Sequence, residues 1–425
     1  FVLNLFKFIL PQSIFDFSYL FTSNLFKKFL GFCRELILAY VFGSSLIYAS
    51  YLILKTLTDF LSQFTFGNAL QANLLPKFSE LFKKYKTLNL NEVYIYSKKV
   101  SIFLFLSSLL LQFLLIFLVV KKYYITLIFT SIILSIILST NFINSLFLTI
   151  IQANGDFKKF SIATTFNIFV ATFLIYPLSF LLNIFGVALS RLFGVFTLTV
   201  KYIKPMLKDN NGYVAKISYK DLNFSVIVLA NISLFILLLA RFIIGLNGAN
   251  EITYFNYAFV LLNIVLTAFV FNINSILLRK ISLNRNTKFL IYSLLVSIPL
   301  ALMLYFIISN YNIQIVEFIY KRGMFNSNDV LETSFFLQSL LPSYIMLIFT
   351  SILFQPFFSM GIDKISKYSF NFLIILFSIL LILTLYIFNS DLSSTDASLL
   401  FVNVMSFSAL MLALSSYKIF RQDEV

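Results

Sequence analysis

Apolar stretches of helical length recur along the whole chain and are separated by short polar loops. We predict helices over residues 20–42, 47–76, 99–120, 124–152, 160–182, 184–204, 224–246, 252–278, 288–309, 331–360, 366–388 and 397–418. A helix needs ~20 consecutive apolar residues to cross the hydrocarbon core of a bilayer. The pattern therefore predicts an all-α polytopic membrane protein with about twelve transmembrane helices.

The composition agrees with this prediction. Of 425 residues, 60% are hydrophobic and only 12% are charged. A soluble domain carries about 25% charged residues, because it must present them to water. Lipid is therefore predicted to be the main solvent of this chain, and no stretch is left over for a separate soluble domain.

The loops alternate in charge. One set is rich in lysine and arginine, at 77–99, 158–159, 201–220, 279–288, 364–367 and 418–421, whereas the intervening loops carry only Lys121, Lys122, Lys321 and Arg322. Cytoplasmic loops carry the basic excess in membrane proteins. Both termini are thus predicted to be cytoplasmic, and the protein is predicted to lie in the cytoplasmic (inner) membrane.

The net charge of +15 follows largely from this topology. Nucleic-acid binding is the rival interpretation of a basic chain, and it requires the charges to be clustered on one face or stripe. Here the lysines are scattered over short loops. We therefore expect no nucleic-acid partner.

The residue inventory argues against most enzyme chemistry. Histidine is absent, and Cys33 is the only cysteine. This excludes a disulfide framework, a Cys/His metal site and histidine acid–base catalysis. A membrane glycosyltransferase or polymerase would need positioned acids or a metal, and no acidic cluster occurs in an outer loop. We expect no cofactor, no metal and no enzymatic activity.

Weak internal similarity divides the chain. Residues 74–79 and 277–282 are similar segments at the ends of predicted helices 2 and 8, and Arg34 and Arg241 occupy equivalent positions in helices 1 and 7. We predict two six-helix lobes, 1–206 and 224–425, joined by a cytoplasmic linker, 207–223. Because six is even, the lobes share an orientation, and substrate is expected at the midplane between them.

Several ionisable residues fall inside the predicted helices. Each costs ~2.5–3.5 kcal/mol at the bilayer centre on insertion scales, so these side chains must face protein or a water-filled cavity. Lys55 and Asp59 lie one turn apart and can pair. The set is Lys28, Arg34, Glu35, Lys55, Asp59, Arg191 and Arg241.

Arg34 and Arg241 are the leading candidates for binding an anionic headgroup. The planar guanidinium makes two parallel charge-assisted hydrogen bonds to a phosphate and stays protonated. The alternative is that such charges snorkel or form structural pairs, above all Lys28 and Arg191. The candidate substrate-binding set is Arg34, Arg241, Lys28, Glu35, Lys55 and Asp59.

Four short motifs carry a family resemblance. They are Phe29–Glu35 followed by Phe42-Gly43, then Gly67–Pro76, Tyr320–Phe325 and Phe357–Gly361. In this order and spacing the chain resembles the lipid II flippase family (MurJ/MviN), within the multidrug/oligosaccharidyl-lipid/polysaccharide exporter superfamily. The matches run over residues 25–365.

The resemblance implies two six-helix bundles around a central V-shaped cavity that works by alternating access. It places Lys28, Arg34 and Glu35 on charged positions of the family's first helix. Other positions differ. The cavity arginine of the family's helix 2 falls near Ser62 or Gln63, and a cation-binding acidic residue of helix 7 falls on Ala240.

These features predict a flippase that moves a polyprenyl-diphosphate-linked saccharide, such as a lipid II-like peptidoglycan precursor, from the inner to the outer leaflet. The expected partners are this lipid, the bilayer and enzymes of cell-envelope biosynthesis. The alternatives are an O-antigen or capsule-unit flippase, a multidrug exporter of the same superfamily, an inactive homologue or, less favoured, the membrane enzyme. An exporter of cationic drugs should prefer acidic cavity residues to Arg34 and Arg241.

Overall fold

The computed structural model describes residues 12–65, 68–120, 124–207, 212–217, 228–229, 231–246, 250–265, 281, 288–358, 360 and 362–423. Nearly all of these residues are helical. Strand structure within these ranges is confined to β1, Leu88–Asn89, and β2, Tyr213–Val214. The predicted all-α fold is confirmed.

The helices follow the predicted order. In the first half they are α1 Gln12–Phe42, α2 Leu46–Thr65, α3 Asn68–Tyr85, α4 Asn91–Leu118, α5 Tyr124–Ala153 and α6 Phe157–Leu198, which continues through a π-helical turn, Thr199–Ile203, and a 3-10 turn, Lys204–Leu207. In the second half they are α7 Ile232–Gly245, α8 Glu251–Val265, α9 Lys288–Tyr320, α10 Ser327–Leu353, α11 Gln355–Phe358, α12 Ile362–Asn389 and α13 Ser394–Asp423.

Seven helical stretches of the described residues are long and apolar enough to cross a membrane. Their surfaces expose large apolar side chains, among them Phe103, Phe180, Phe318 and Phe388, which is 82% exposed. A soluble protein does not leave so many large hydrophobic side chains in water. The chain is a multi-pass membrane protein.

One of these stretches, 157–207, is 51 residues long and contains two predicted helices. Asn183 interrupts it with φ 55° and ψ −139°, between the predicted helices 160–182 and 184–204. This combination of φ and ψ lies outside the left-handed α region, so the backbone of Asn183 is strained. Here its Oδ1 accepts a hydrogen bond from the Ile184 backbone N–H at 2.9 Å. After the break, Gly186 packs directly against the backbone of Leu178.

Some predicted boundaries differ from the structure. The predicted helix 47–76 corresponds to α2 and the first part of α3, with residues 66–67 outside the described set. The helix α9 extends to Tyr320 rather than to residue 309, with a kink at Tyr311 (φ −126°). Hydropathy identifies only the apolar part of a helix, so it underestimates the length of a helix that continues into the membrane interface. Parts of the predicted helices 224–246 and 252–278 lie outside the described residues.

The chain forms two compact units that interleave in sequence. The first comprises 1–37, 64–117 and 123–222, and the second comprises 38–63, 118–122 and 223–425. In the first, β1 and β2 pair in parallel with Leu88 opposite Tyr213, and the rings of Tyr85 and Tyr213 stack at 4.0 Å. Residues 213–214 of the predicted linker are therefore held by the first unit. The division into lobes 1–206 and 224–425 stays a prediction.

Candidate functional site

The second unit contains a buried arginine in an otherwise apolar helix. Arg241 on α7 is only 2% exposed. Its Nη1 donates a hydrogen bond to Oδ1 of Asn256 on α8 at 2.7 Å, and its Nη2 donates to Oδ2 of Asp59 on α2 at 3.0 Å. Burying an unpaired charge would cost several kcal/mol, so these partners are what allows Arg241 to stay inside the protein.

A second cation faces the same carboxylate. Lys55 precedes Asp59 by one helical turn, and its Nζ lies 4.0 Å from Asp59 Oδ2. The side chains of Lys55, Asp59 and Arg241 are 9%, 26% and 2% exposed, respectively. Two cations thus share one carboxylate oxygen, and the three side chains together carry one net positive charge.

Neighbouring side chains hold this charge cluster in place. The guanidinium carbon of Arg241 lies 5.6 Å from the centre of the Phe259 ring, within range of a cation–π interaction. Tyr344 on α10 donates a hydrogen bond to the Phe259 carbonyl at 3.2 Å, and Ser398 on α13 donates to the Ala240 carbonyl at 3.1 Å. The helices α7, α8, α10 and α13 therefore form a fixed frame around the arginine.

Two donors of the cluster are not used. Arg241 Nε and Asn256 Nδ2 are buried and have no hydrogen-bond partner among the residues that the structure describes. Leaving a buried polar group without a partner costs about 1–3 kcal/mol. Nε lies beside Nη2 on the guanidinium edge that can bind an anion through two parallel bonds, but Asp59 contacts this edge through Nη2 alone. Nε of this edge therefore lacks an acceptor among the described residues.

The charges of α1 belong to the first unit. Arg34 Nη2 donates to Oε1 of the adjacent Glu35 at 3.0 Å, and their side chains are 21% and 4% exposed. Lys28 is exposed. Its neighbour Lys27, which the sequence did not single out, donates to Thr164 Oγ1 at 3.2 Å and lies 5.9 Å from the Phe160 ring centre.

The structure thus brings Lys55, Asp59 and Arg241 together and pairs Arg34 with Glu35. Sequence reasoning missed Asn256 and Phe259, although an asparagine inside the apolar stretch of α8 was a usable signal. The predicted helix 47–76 also contains four polar residues whose side chains lie outside the described set: Gln63, Asn68, Gln71 and Asn73. The substrate-binding role of the six candidate residues stays a prediction.

Metal-binding chemistry has no obvious site in this arrangement. Among the described residues there is no group of three or more His, Cys, Asp or Glu side chains that could hold a metal ion. The cluster itself contributes one carboxylate to two cations, which favours an anionic rather than a cationic ligand.

Comparison of the sequence with protein-family models and with curated protein sequences gives no match. Comparison of the structure with solved structures does give matches. An inward-closed structure of the lipid II flippase MurJ matches with a TM-score of 0.71 at 18% identity, over 94% of this chain and 89% of that one. The chain has the fold of MurJ.

Related transporters match as well, at lower similarity than the MurJ structure. A transporter of the MOP superfamily from Pyrococcus furiosus gives a TM-score of 0.60 at 13% identity, over 96% of this chain and 95% of that one. An inward-facing multidrug resistance MATE transporter gives 0.61 at 12% identity, over 96% of both chains. The resemblance to MurJ in the short motifs is thus confirmed as a likeness of fold, and the chain shares this fold with the two transporters as well.

Proposed function

We propose that this protein is a flippase that carries a polyprenyl-diphosphate-linked saccharide from the inner to the outer leaflet by alternating access. The single observation that carries the proposal is the net-positive cluster of Lys55, Asp59 and Arg241 inside a MurJ-type fold. Such a fold is expected to enclose a path for a headgroup. A net-positive cluster within the path suits a phosphate rather than a cationic drug.

The positive charge of the cluster would offset the cost of moving the diphosphate of the substrate across the membrane. A diphosphate in hydrocarbon loses its hydration, and charged groups there are costly. Arg241 and Lys55 supply compensating charge from side chains that are only 2% and 9% exposed. Arginine is suited to the task because its planar fork binds phosphate oxygens and stays protonated.

The membrane potential supplies a driving force with the correct sign. With the inside negative, moving one negative charge outward is favoured by ~2.3 kcal/mol per 100 mV. A diphosphate with about two charges gains roughly twice this amount. In this mechanism the lipid tail stays in the bilayer while the headgroup crosses, and the basic residues help the empty carrier to return inward.

The location and partners follow from the same proposal. A precursor made at the cytoplasmic face requires a carrier in the cytoplasmic (inner) membrane, and the basic loops favour cytoplasmic termini. Enzymes of cell-envelope biosynthesis would supply the lipid on one side and consume it on the other.

The MATE-like fold makes a multidrug exporter the second candidate. An exporter of cationic compounds should carry excess negative charge in its path, whereas the cluster around Arg241 has excess positive charge. An O-antigen or capsule-unit flippase shares the diphosphate chemistry. This flippase and a lipid II flippase differ in the saccharide that they carry, and genetic rescue distinguishes them.

Complementation tests the proposal directly. The chain is expressed in a bacterial strain depleted of its lipid II flippase and, in parallel, in strains lacking an O-antigen flippase or a drug exporter. Growth of the first strain, with lipid II reaching the outer leaflet, is the expected result, and the Arg241→Ala variant at equal protein level is the matched control. Rescue of drug resistance alone would establish the exporter instead.

A further inference from the structure

The carboxylate of the charge cluster is its most accessible member. The Asp59 side chain is 26% exposed, whereas those of Lys55 and Arg241 are 9% and 2% exposed. Asp59 therefore presents a larger fraction of its side chain than either cation. Asp59 is also the only one of the three whose charge has the same sign as a phosphate.

The contacts of Asp59 with both cations run through one carboxylate oxygen. One oxygen, Oδ2, accepts from Arg241 Nη2 at 3.0 Å and lies 4.0 Å from Lys55 Nζ. A carboxylate that held the guanidinium through both oxygens would use Nη2 and Nε together. Among the residues that the structure describes, Nε has no partner, so Asp59 holds the arginine by half of the available edge.

The unused donors suit an anion with more oxygens than a carboxylate. Arg241 Nε and Asn256 Nδ2 are buried on two side chains that bond to each other at 2.7 Å. A diphosphate has several acceptor oxygens, and two of them can accept from Nε and Nη2 through parallel bonds. It would then complete the hydrogen bonding that Asp59 leaves incomplete.

We propose that Asp59 is an internal counter-ion that occupies Lys55 and Arg241 in the empty carrier and that a substrate phosphate replaces there. The inference rests on the proposed function and deepens it, because it names the residue with which the headgroup competes. Asp59 holds the two cations in place when substrate is absent. After translocation it competes with the phosphate again and so favours release.

Competition has a distinctive consequence for Asp59→Asn. Removing the competing charge is expected to tighten the binding of a prenyl diphosphate by about tenfold or more, within the usual range of coupling between ligands. The same change is expected to slow flipping, since release is no longer assisted. A merely structural role of Asp59 predicts lower stability with unchanged or weaker binding.

The measurement uses the full-length protein purified in lipid nanodiscs. Farnesyl diphosphate is the probe and farnesol is the uncharged comparison, with affinity measured by titration. Asp396→Asn is the matched control, because it removes the same charge from an exposed residue at the start of α13. We expect tighter diphosphate binding only in Asp59→Asn, with farnesol unaffected in every variant.

A second variant keeps the test decisive if Asp59→Asn does not fold. Lys55→Gln preserves the Arg241–Asp59 pair and removes one cation, so it should weaken diphosphate binding about tenfold. A Lys55→Gln protein that binds as tightly as the parent would overturn the inference. Equal tightening in Asp396→Asn and Asp59→Asn would also overturn it, since the effect would then reflect overall charge.

The outcomes separate this inference from the proposed function. If the parent binds farnesyl diphosphate and rescues the flippase-depleted strain while Asp59→Asn binds no more tightly, then Asp59 is structural and the flippase proposal stands. If the parent neither binds the diphosphate nor rescues growth, both proposals are wrong. Tighter binding together with slower flipping in Asp59→Asn supports both.

Discussion

The hydroxyl of Tyr257 on α8 donates a hydrogen bond to the backbone carbonyl of Gly43 at 3.0 Å. Gly43 follows α1 with φ +51°, and nearby the backbone N–H of Met324 donates to the Tyr40 carbonyl at 3.0 Å. Tyr48 also packs against Tyr257, with ring centroids 6.0 Å apart. The turn between α1 and α2 is therefore fixed to α8 and to the segment after α9.

This contact predicts that Gly43→Ala destabilises the protein. A Cβ at Gly43 would lie 2.5 Å from the Met324 carbonyl oxygen, and the positive φ is strained for alanine. We expect a loss of about 1–3 kcal/mol, read as a lower melting temperature in detergent. Gly31→Ala on α1 is the control, because nothing lies within 4 Å of its Cβ position. Equal melting temperatures would show that the turn can relax.

The break in α6 gives a second prediction. Asn183 has φ 55°, which a β-branched residue adopts only with strain. Asn183→Val should lose about 1–3 kcal/mol of stability. Asn183→Gly should be much better tolerated, since it accepts the backbone conformation and loses only the side-chain bond to Ile184. Thermal unfolding of the two variants decides the matter, and the reverse order would contradict the strain argument.

The arginines provide the third prediction. Arg241→Ala should abolish flipping, and Arg241→Lys should restore it only in part, because lysine keeps the charge but loses the planar fork. Arg34→Ala should impair flipping with little loss of protein, since its side chain is partly exposed. Flipping is measured in vesicles and normalised to protein level. Parent-like transport by both alanine variants would show that these arginines are structural.

Topology is the fourth prediction. In a Cys33→Ser background, single cysteines at Ser45, Asn250 and Ser394 should react from outside the cell with an impermeant thiol reagent. Cysteines at Thr87 or Asn211 should react only after permeabilisation, because their loops belong to the basic set. Labelling of Asn211 from outside would disprove the predicted six-plus-six arrangement.

The outer-loop carboxylates give the fifth prediction. Asp391 and Asp396 are exposed, and Asp396 accepts a hydrogen bond from Ser393 Oγ at 2.7 Å at the start of α13. We read both as ordinary loop or capping residues. Their replacement by asparagine should leave transport within about twofold of the parent and cost at most ~1 kcal/mol of stability. Loss of transport at normal protein levels would reopen the enzyme hypothesis.

The sequence alone determined most of the helical architecture. Apolar stretches of membrane-spanning length predicted the helices and their order. Backbone N–H and C=O groups in lipid must be hydrogen-bonded within their own segment, and a helix achieves this. The interruption at Asn183 was also visible, since a polar residue there separates two apolar stretches. The pairing of Lys55 with Asp59 followed from their spacing of one helical turn.

Only the tertiary structure decided what surrounds Arg241. Its partner Asp59 lies 182 residues away in the chain, and Asn256 lies on another helix. Hydropathy records that a helix is buried in lipid, but it does not record which face meets which neighbour. The sequence marked Arg241 as a candidate for binding an anionic headgroup, whereas only the structure shows that it bonds to Asp59 and Asn256. That difference arises because contacts between helices depend on rotation and register, which are set by the whole fold.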